Sequence, residues 1–279
     1  MTNRQLKLLV FAFLTIILTI FLGLFMKMKG PFMFANITTV STELAYSSPA
    51  ELPSSISFDL SYVSDDLTSD YLSFLSQYLV ADGQRSLLSD IDSVVKATHY
   101  LMSFGDRTSN GLARNLEDVL DKSGRYRNVC SEAAKVSSVL LHALGYSSRV
   151  VWGGNHVFTE VWNDETSQWI LLDADGLVMA KNNGQLLNYL NTRKLALSDV
   201  DIFVPVGGSH EVDQQYNKEL YSNSRFFVII DANRVFELHD LFRSPAYIMS
   251  YVFLDSNSEV SGLQVEEPVF KSLGNIELF

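Results

Sequence analysis

Cysteine is almost absent from this chain. Cys130 is the only one in 279 residues. A lone thiol excludes an intramolecular disulfide, and it excludes modules held together by paired zinc cysteines. Basic side chains are also in deficit, with 21 Lys and Arg against 32 Asp and Glu and a net charge of −11. That balance argues against nucleic acid and against tight binding of anionic lipid headgroups. No internal repeat and no low-complexity block occurs. Proline is scarce at six residues, and Pro31, Pro49 and Pro53 account for half of them.

What the chain has in quantity is apolar sequence at its start. Leu8 to Met26 is a run of 19 residues without a charged side chain, flanked by Arg4 and Lys7 before it and Lys27 and Lys29 after it. As a helix it covers roughly 29 Å, close to the ~30 Å of a bilayer core. The run is longer than a signal-peptide core, and Lys27 to Phe34 offers no small-x-small cleavage site. The expectation is an uncleaved membrane anchor, so Leu8 to Met26 makes the membrane a partner. The flanking charges nearly balance. The short N-terminal tail tips the orientation toward a cytoplasmic N-terminus, with the remaining domain on the extracytoplasmic side.

The expected organisation is an anchor over residues 1–29 and a stalk or irregular lead-in over 30–60, where Ser, Thr, Ala and the three prolines gather. A core follows over 61–190, and a β-rich extension over 191–279. About 250 residues beyond the anchor are ample to bury a core without disulfides. Leu67, Tyr71, Phe74, Leu75, Tyr78 and Leu79 recur at helical spacing and predict a helix over 66–80, capped by Asp65 or Asp66. A second helix is expected from Ser89 or Asp90 to Gly105, with His99 as a structural histidine near its apolar face. A short helix is expected over 115–121. The segment after Cys130 is apolar nearly all round, which predicts a central buried helix ending at Gly145. Strands are expected over 148–152, 156–162 and 169–173, the last two joined by Asn163 to Ser167 as a hairpin. Residues 185–190 suggest a helix, and 201–206, 225–231 and 247–254 suggest strands.

Cys130, His156 and Asp173 therefore fall on a helix start, a strand and a strand end. Each alone reads as ordinary: a small buried thiol, a structural histidine, a turn carboxylate. Together, in this order, they suit a nucleophile, its base and the group that orients the base. A helix N-terminus favours a thiolate over a thiol, and Asn128 is the expected cap. Alternation along the strand puts His156 on one face with Phe158, Glu160 and Trp162. Glu160 reads as a structural or substrate-side group and Asp175 as a turn former before Gly176. A metal site built from the same three residues lacks any short-spaced ligand pair. No cofactor is implied.

Four stretches carry a family resemblance: Cys130-Ser-Glu-Ala-Ala, Leu141-His-Ala-Leu-Gly-Tyr-Ser-Ser-Arg-Val-Val, His156-Val-Phe-Thr-Glu-Val-Trp and Trp169-Ile-Leu-Leu-Asp173-Ala. Together they resemble the transglutaminase-like superfamily of papain-like cysteine enzymes. The spacing, 26 positions from Cys130 to His156 and 17 from His156 to Asp173, is nearest the peptide:N-glycanase branch. The resemblance covers about a third of the chain, from Asp90 to Ala180. It implies an α+β fold: a papain-like transglutaminase core in which the helix bearing Cys130 packs on an antiparallel sheet, here behind an N-terminal transmembrane helix. It implies a Cys130–His156–Asp173 triad and attack on an amide bond through an acyl-enzyme, with hydrolysis favoured over cross-linking. The substrate would be a peptide, a protein or another amide-bearing molecule. The oxyanion would use the backbone N–H of Cys130, with Tyr126 and Asn128 nearest in sequence to supply a second donor. The paired zinc cysteines of the glycanase branch are missing. The rival expectation is a non-enzymatic binding or scaffold module of an envelope or polysaccharide-export assembly.

Overall fold

The sheet that carries the site is buried on both faces, and its strands alternate accordingly. The computed structural model describes residues 36–39, 46–51, 64–81, 84–105, 115–120, 122, 129–153, 156–223, 226–230 and 248–253. The candidate anchor Leu8 to Met26 lies outside them. No helix among the described residues is long and apolar enough to cross a membrane.

The protein is α+β. Its elements in chain order are β1 (Asn36–Thr39), α1 (Asp65–Leu75), α2 (Leu87–Met102), α3 (Cys130–Ala143), β2 (Ser148–Gly153), β3 (His156–Asn163), β4 (Gln168–Asp173), β5 (Val178–Asn182) and β6 (Gln185–Leu186). They continue with α4 (Tyr189–Ala196), β7 (Phe203–Pro205), α5 (Gln214–Ser222), β8 (Phe226–Ile230) and β9 (Ile248–Phe253). The strands run β1-β9-β8-β2-β3-β4-β5-β6, with β7 paired to β5. The pairs are antiparallel, apart from the parallel β1–β9 pair. Segments from the last third of the chain thus complete the same sheet that holds His156 and Asp173.

Val150, Trp152, Val161, Ile170 and Leu172 face the helical layer, where they join residues of α1, α2 and α3 in one core. Val151, Phe158, Trp162, Trp169 and Leu171 face the other way, into a second core with Tyr189, Ile202, Phe203 and Tyr221. Successive strand residues point to opposite faces, so full burial of both faces gives near-continuous apolar strands. Each fully buried Val, Leu or Phe contributes about 1.5–3 kcal/mol relative to exposure.

Helix α3 lies close against β3 because its contact residues are small. Thr159 Oγ1 donates to the Ala134 carbonyl at 3.1 Å and stands 2.8 Å from Ser137 Oγ. A larger residue at position 134 or 137 would push the helix off the strand.

Several boundaries differ from those expected. Ser64, not an aspartate, caps α1 by accepting from Leu67 N at 3.2 Å. Ser86 and Ser89 form a reciprocal capping box that starts α2 two residues earlier than Ser89. The segment at 115–121 is a single 3-10 turn over Glu117–Leu120. The expected helix over 185–190 is absent: Asn183 (φ 48°) and Gly184 (φ 84°) turn the chain between β5 and β6. Two successive left-handed residues match the right-handed strand twist and close a two-residue hairpin. The chain becomes helical only after Asn188 caps α4.

Candidate active site

Cys130 is the first residue of α3 and is half-buried. The expected cap is corrected here. Val129 occupies the N-cap position with extended backbone, and its side chain makes no capping hydrogen bond. An apolar cap leaves the positive end of the helix dipole directed at the thiol. Asn128 and Tyr126 lie outside the described residues.

His156 is the first residue of β3 and Asp173 the last of β4. By alternation both sit on the sheet face that turns away from α3, His156 with Phe158 and Asp173 with Leu171. Cys130 and His156 are each the first residue of their element. His156 Nε2 lies 2.6 Å from Asp173 Oδ2, and the thiol of Cys130 stands near enough to the same ring to raise its proton affinity. With Nε2 turned to the carboxylate, Nδ1 is the ring nitrogen that Asp173 leaves open. The structure thus brings together all three residues expected from the sequence.

Asp173 holds more than the histidine. Its Oδ1 accepts the N–H groups of Asp175 and Gly176 at 3.1 and 2.9 Å. Its Oδ2 accepts the hydroxyl of Tyr221, on α5, at 2.8 Å. Burial alone would raise this carboxyl, but the His156 charge, the His156 hydrogen bond, the Gly176 amide and Tyr221 together hold it below its ordinary range. Burial would likewise pull His156 down. The Asp173 charge and hydrogen bond, with the Cys130 contact, outweigh burial and hold the imidazole well above its ordinary value. Burial and then the Asp173 charge push the Tyr221 phenol well above its ordinary value, so it remains a donor.

The wall behind the pair is aromatic. Tyr221 meets the His156 ring edge-on, with centroids 5.8 Å apart at 87°. Phe158 and Phe203 flank Tyr221 at 5.7 and 5.3 Å. Such packing keeps water from the back of the carboxylate and strengthens the electrostatic contacts within the pair.

Two carboxylates expected near the site do not compete for His156. Glu160 is fully buried and pairs with Arg149, whose Nη2 and Nε lie 2.6 and 2.9 Å from Oε2. Its Oε1 accepts Tyr189 N at 2.8 Å. Asp175 contributes its backbone N–H to the turn that holds Asp173. His99 is exposed on α2. Among the described residues no group of three or more His, Cys, Asp and Glu side chains could hold a metal ion.

Sequence reasoning missed Tyr221 and Gly176. Tyr221 lies 48 positions from Asp173, and a partner at that separation leaves no local signal. Gly176 had one: an Asp followed three positions later by Gly is the pattern of a carboxylate folding back onto its own turn. A Cβ there would stand 2.7 Å from Asp173 Oδ2.

No family model, no curated protein and no solved structure matches the chain.

Proposed function

We propose that this chain is a membrane-anchored cysteine enzyme of transglutaminase-like type, with a papain-like core, that attacks an amide bond and works outside the cytoplasm. The observation that carries the reading is the His156–Asp173 pair at 2.6 Å with the Cys130 thiol, at the start of α3, acting on the same ring. A half-buried thiol at a helix start, beside an imidazole that a buried carboxylate orients, has the parts of an activated nucleophile. The motif resemblance and the apolar run at Leu8 to Met26 support the family and the anchor.

The reaction follows from those parts. His156 holds the proton given up by Cys130, and the thiolate adds to the amide carbonyl carbon. The developing oxyanion is met by the N–H of Cys130 at the helix start. The C–N bond breaks as His156 returns its proton to the leaving amine, and a thioester remains. Water then loses a proton to His156 and attacks the thioester, and the proton passes back to sulfur as the acid leaves. The rings behind Asp173 fix the imidazole through both steps.

The test is labelling by an amide-derived electrophile at neutral pH. Wild type is expected to label stoichiometrically at Cys130, and Cys130→Ala not at all. His156→Ala should label at least tenfold more slowly. Equal labelling rates for wild type and His156→Ala would refute the pairing. Catalysis is then sought by incubating the active protein with peptide and glycopeptide libraries and measuring released acid and amine by mass spectrometry.

A further inference from the structure

We propose that Tyr221 is a positioning residue that governs how tightly the His156–Asp173 pair holds its proton. The proposal deepens the triad reading and rests on it for its catalytic meaning, though its test does not need turnover.

The argument starts from one oxygen. Asp173 Oδ2 faces His156 Nε2 at 2.6 Å and accepts the Tyr221 hydroxyl at 2.8 Å. Oδ1 is meanwhile occupied by the amides of Asp175 and Gly176. The carboxylate is therefore served by four donors, and Tyr221 and His156 share the same atom. A hydroxyl on Oδ2 draws negative charge from the atom that attracts the imidazole proton. It does so most when the imidazole is neutral, because the carboxylate charge is then otherwise uncompensated. Tyr221 thus favours neutral His156 relative to an Asp173 without it, and so weakens the grip of the pair on its proton.

That matters for the second half of the reaction. His156 must be neutral to take a proton from water once the thioester has formed. Asp173, unmodulated in a buried site, would hold the imidazole as a cation through that step. Tyr221 tempers this while its ring, edge-on to His156 and flanked by Phe203 and Phe158, fixes the orientation. Among the described residues, the other titratable groups that act on this assembly are Cys130 on α3, beside His156, and Tyr189 on α4, which faces Tyr221.

The experiment is an NMR titration of the His156 ring in a Cys130→Ala background, which removes the coupled thiol. Tyr221→Phe keeps the ring stack and removes the donor. It is expected to raise the His156 midpoint by about half a unit to one unit, the scale of one lost hydrogen bond to a carboxylate. In an Asp173→Asn background the same substitution should shift the midpoint by less than a third as much, because the effect passes through the carboxylate. Replacing Tyr221 with 3-fluorotyrosine strengthens the donor at nearly constant volume. It should move the midpoint down, and it decides the question if Tyr221→Phe fails to fold. An unmoved midpoint in a folded variant, or an equal shift in both backgrounds, overturns the proposal. Failure of wild type to label at Cys130 while the midpoint still moves as expected would instead sink the enzymatic reading and leave the role of Tyr221 standing.

Discussion

The α-carbon of Gly176 lies so close to Asp173 that a Cβ there would stand 2.7 Å from Oδ2 and 3.1 Å from Cγ. The carboxylate that orients His156 fills the space that any other residue at 176 would need. Gly176→Ala must rotate the Asp173 side chain or move the turn that donates to it. Expected outcomes are destabilisation by about 1–3 kcal/mol, the scale of overpacking a tight site, and loss of the downfield His156 Nε2–H resonance. Urea denaturation and proton NMR check the two. An unchanged resonance would show that the turn yields without disturbing the pair.

The buried Arg149–Glu160 pair makes a second prediction. These residues face each other across β2 and β3. The guanidinium lies over the Trp169 ring at 4.0 Å and the Tyr46 ring at 5.0 Å. Glu160 also accepts the N–H of Tyr189, at the start of α4. Removing one charge leaves the other buried and uncompensated, so Glu160→Gln is expected to cost about 3–5 kcal/mol in denaturant melts. Arg149→Met combined with Glu160→Leu should recover part of that loss. It would still lack about 1–3 kcal/mol, because the Tyr189 N–H loses its acceptor. Neither variant should alter the His156 midpoint, since Glu160 does not contact that ring.

How much of this was legible beforehand depended on whether the signal was local. Val150 to Trp152 and Trp169 to Leu172 are apolar on both faces, Phe158 to Trp162 buries Thr159 and Glu160 among its apolar residues, and the three strands formed within one residue of the expected ends. The α3 helix was legible for the same reason. The expected helix over 185–190 overlooks Asn183-Gly184, a two-residue hairpin signal. Helix α5 was not anticipated because it is mostly polar and buries only Asn217 and Tyr221. Tyr221 completes the candidate site through a fold that brings α5 against β4, and no pattern within either segment encodes that meeting. The parallel pairing of β1 with β9 joins the two ends of the described chain and is equally invisible locally.

His142 supplies a pH prediction independent of the site. It sits in the last turn of α3, and its Nε2 lies 3.0 Å from the Ser148 carbonyl. Burial lowers its pKa to about 4, against a smaller upward pull from the Ser148 carbonyl. The folded value lies below the unfolded one of about 6.5. Its contribution is therefore fully present above about pH 6.5 and is lost as pH falls to about 4. His142→Gln, which can still donate to Ser148, should flatten that part of the stability curve. Guanidinium melts of both proteins between pH 7 and pH 4 measure it, and parallel curves would count against the assignment.

His156 must behave with the opposite sign. Its folded value is raised, so its contribution is present below the unfolded value of about 6.5 and is lost as pH rises through the higher folded value. The raising depends on Asp173, because burial, the largest single influence, acts downward. Asp173→Asn removes the charge and keeps the shape, so burial then dominates and the imidazole should be neutral at pH 7. Two measurements follow from that one substitution. The alkaline loss of stability seen in wild type should disappear. Labelling of Cys130 at pH 7 should fall at least tenfold, because a neutral imidazole no longer stabilises the thiolate as a cation. If the alkaline slope vanished while labelling stayed at the wild-type rate, Asp173 would be a stabiliser of the imidazolium with no part in activating the thiol. The helix start at Val129 would then carry that activation alone.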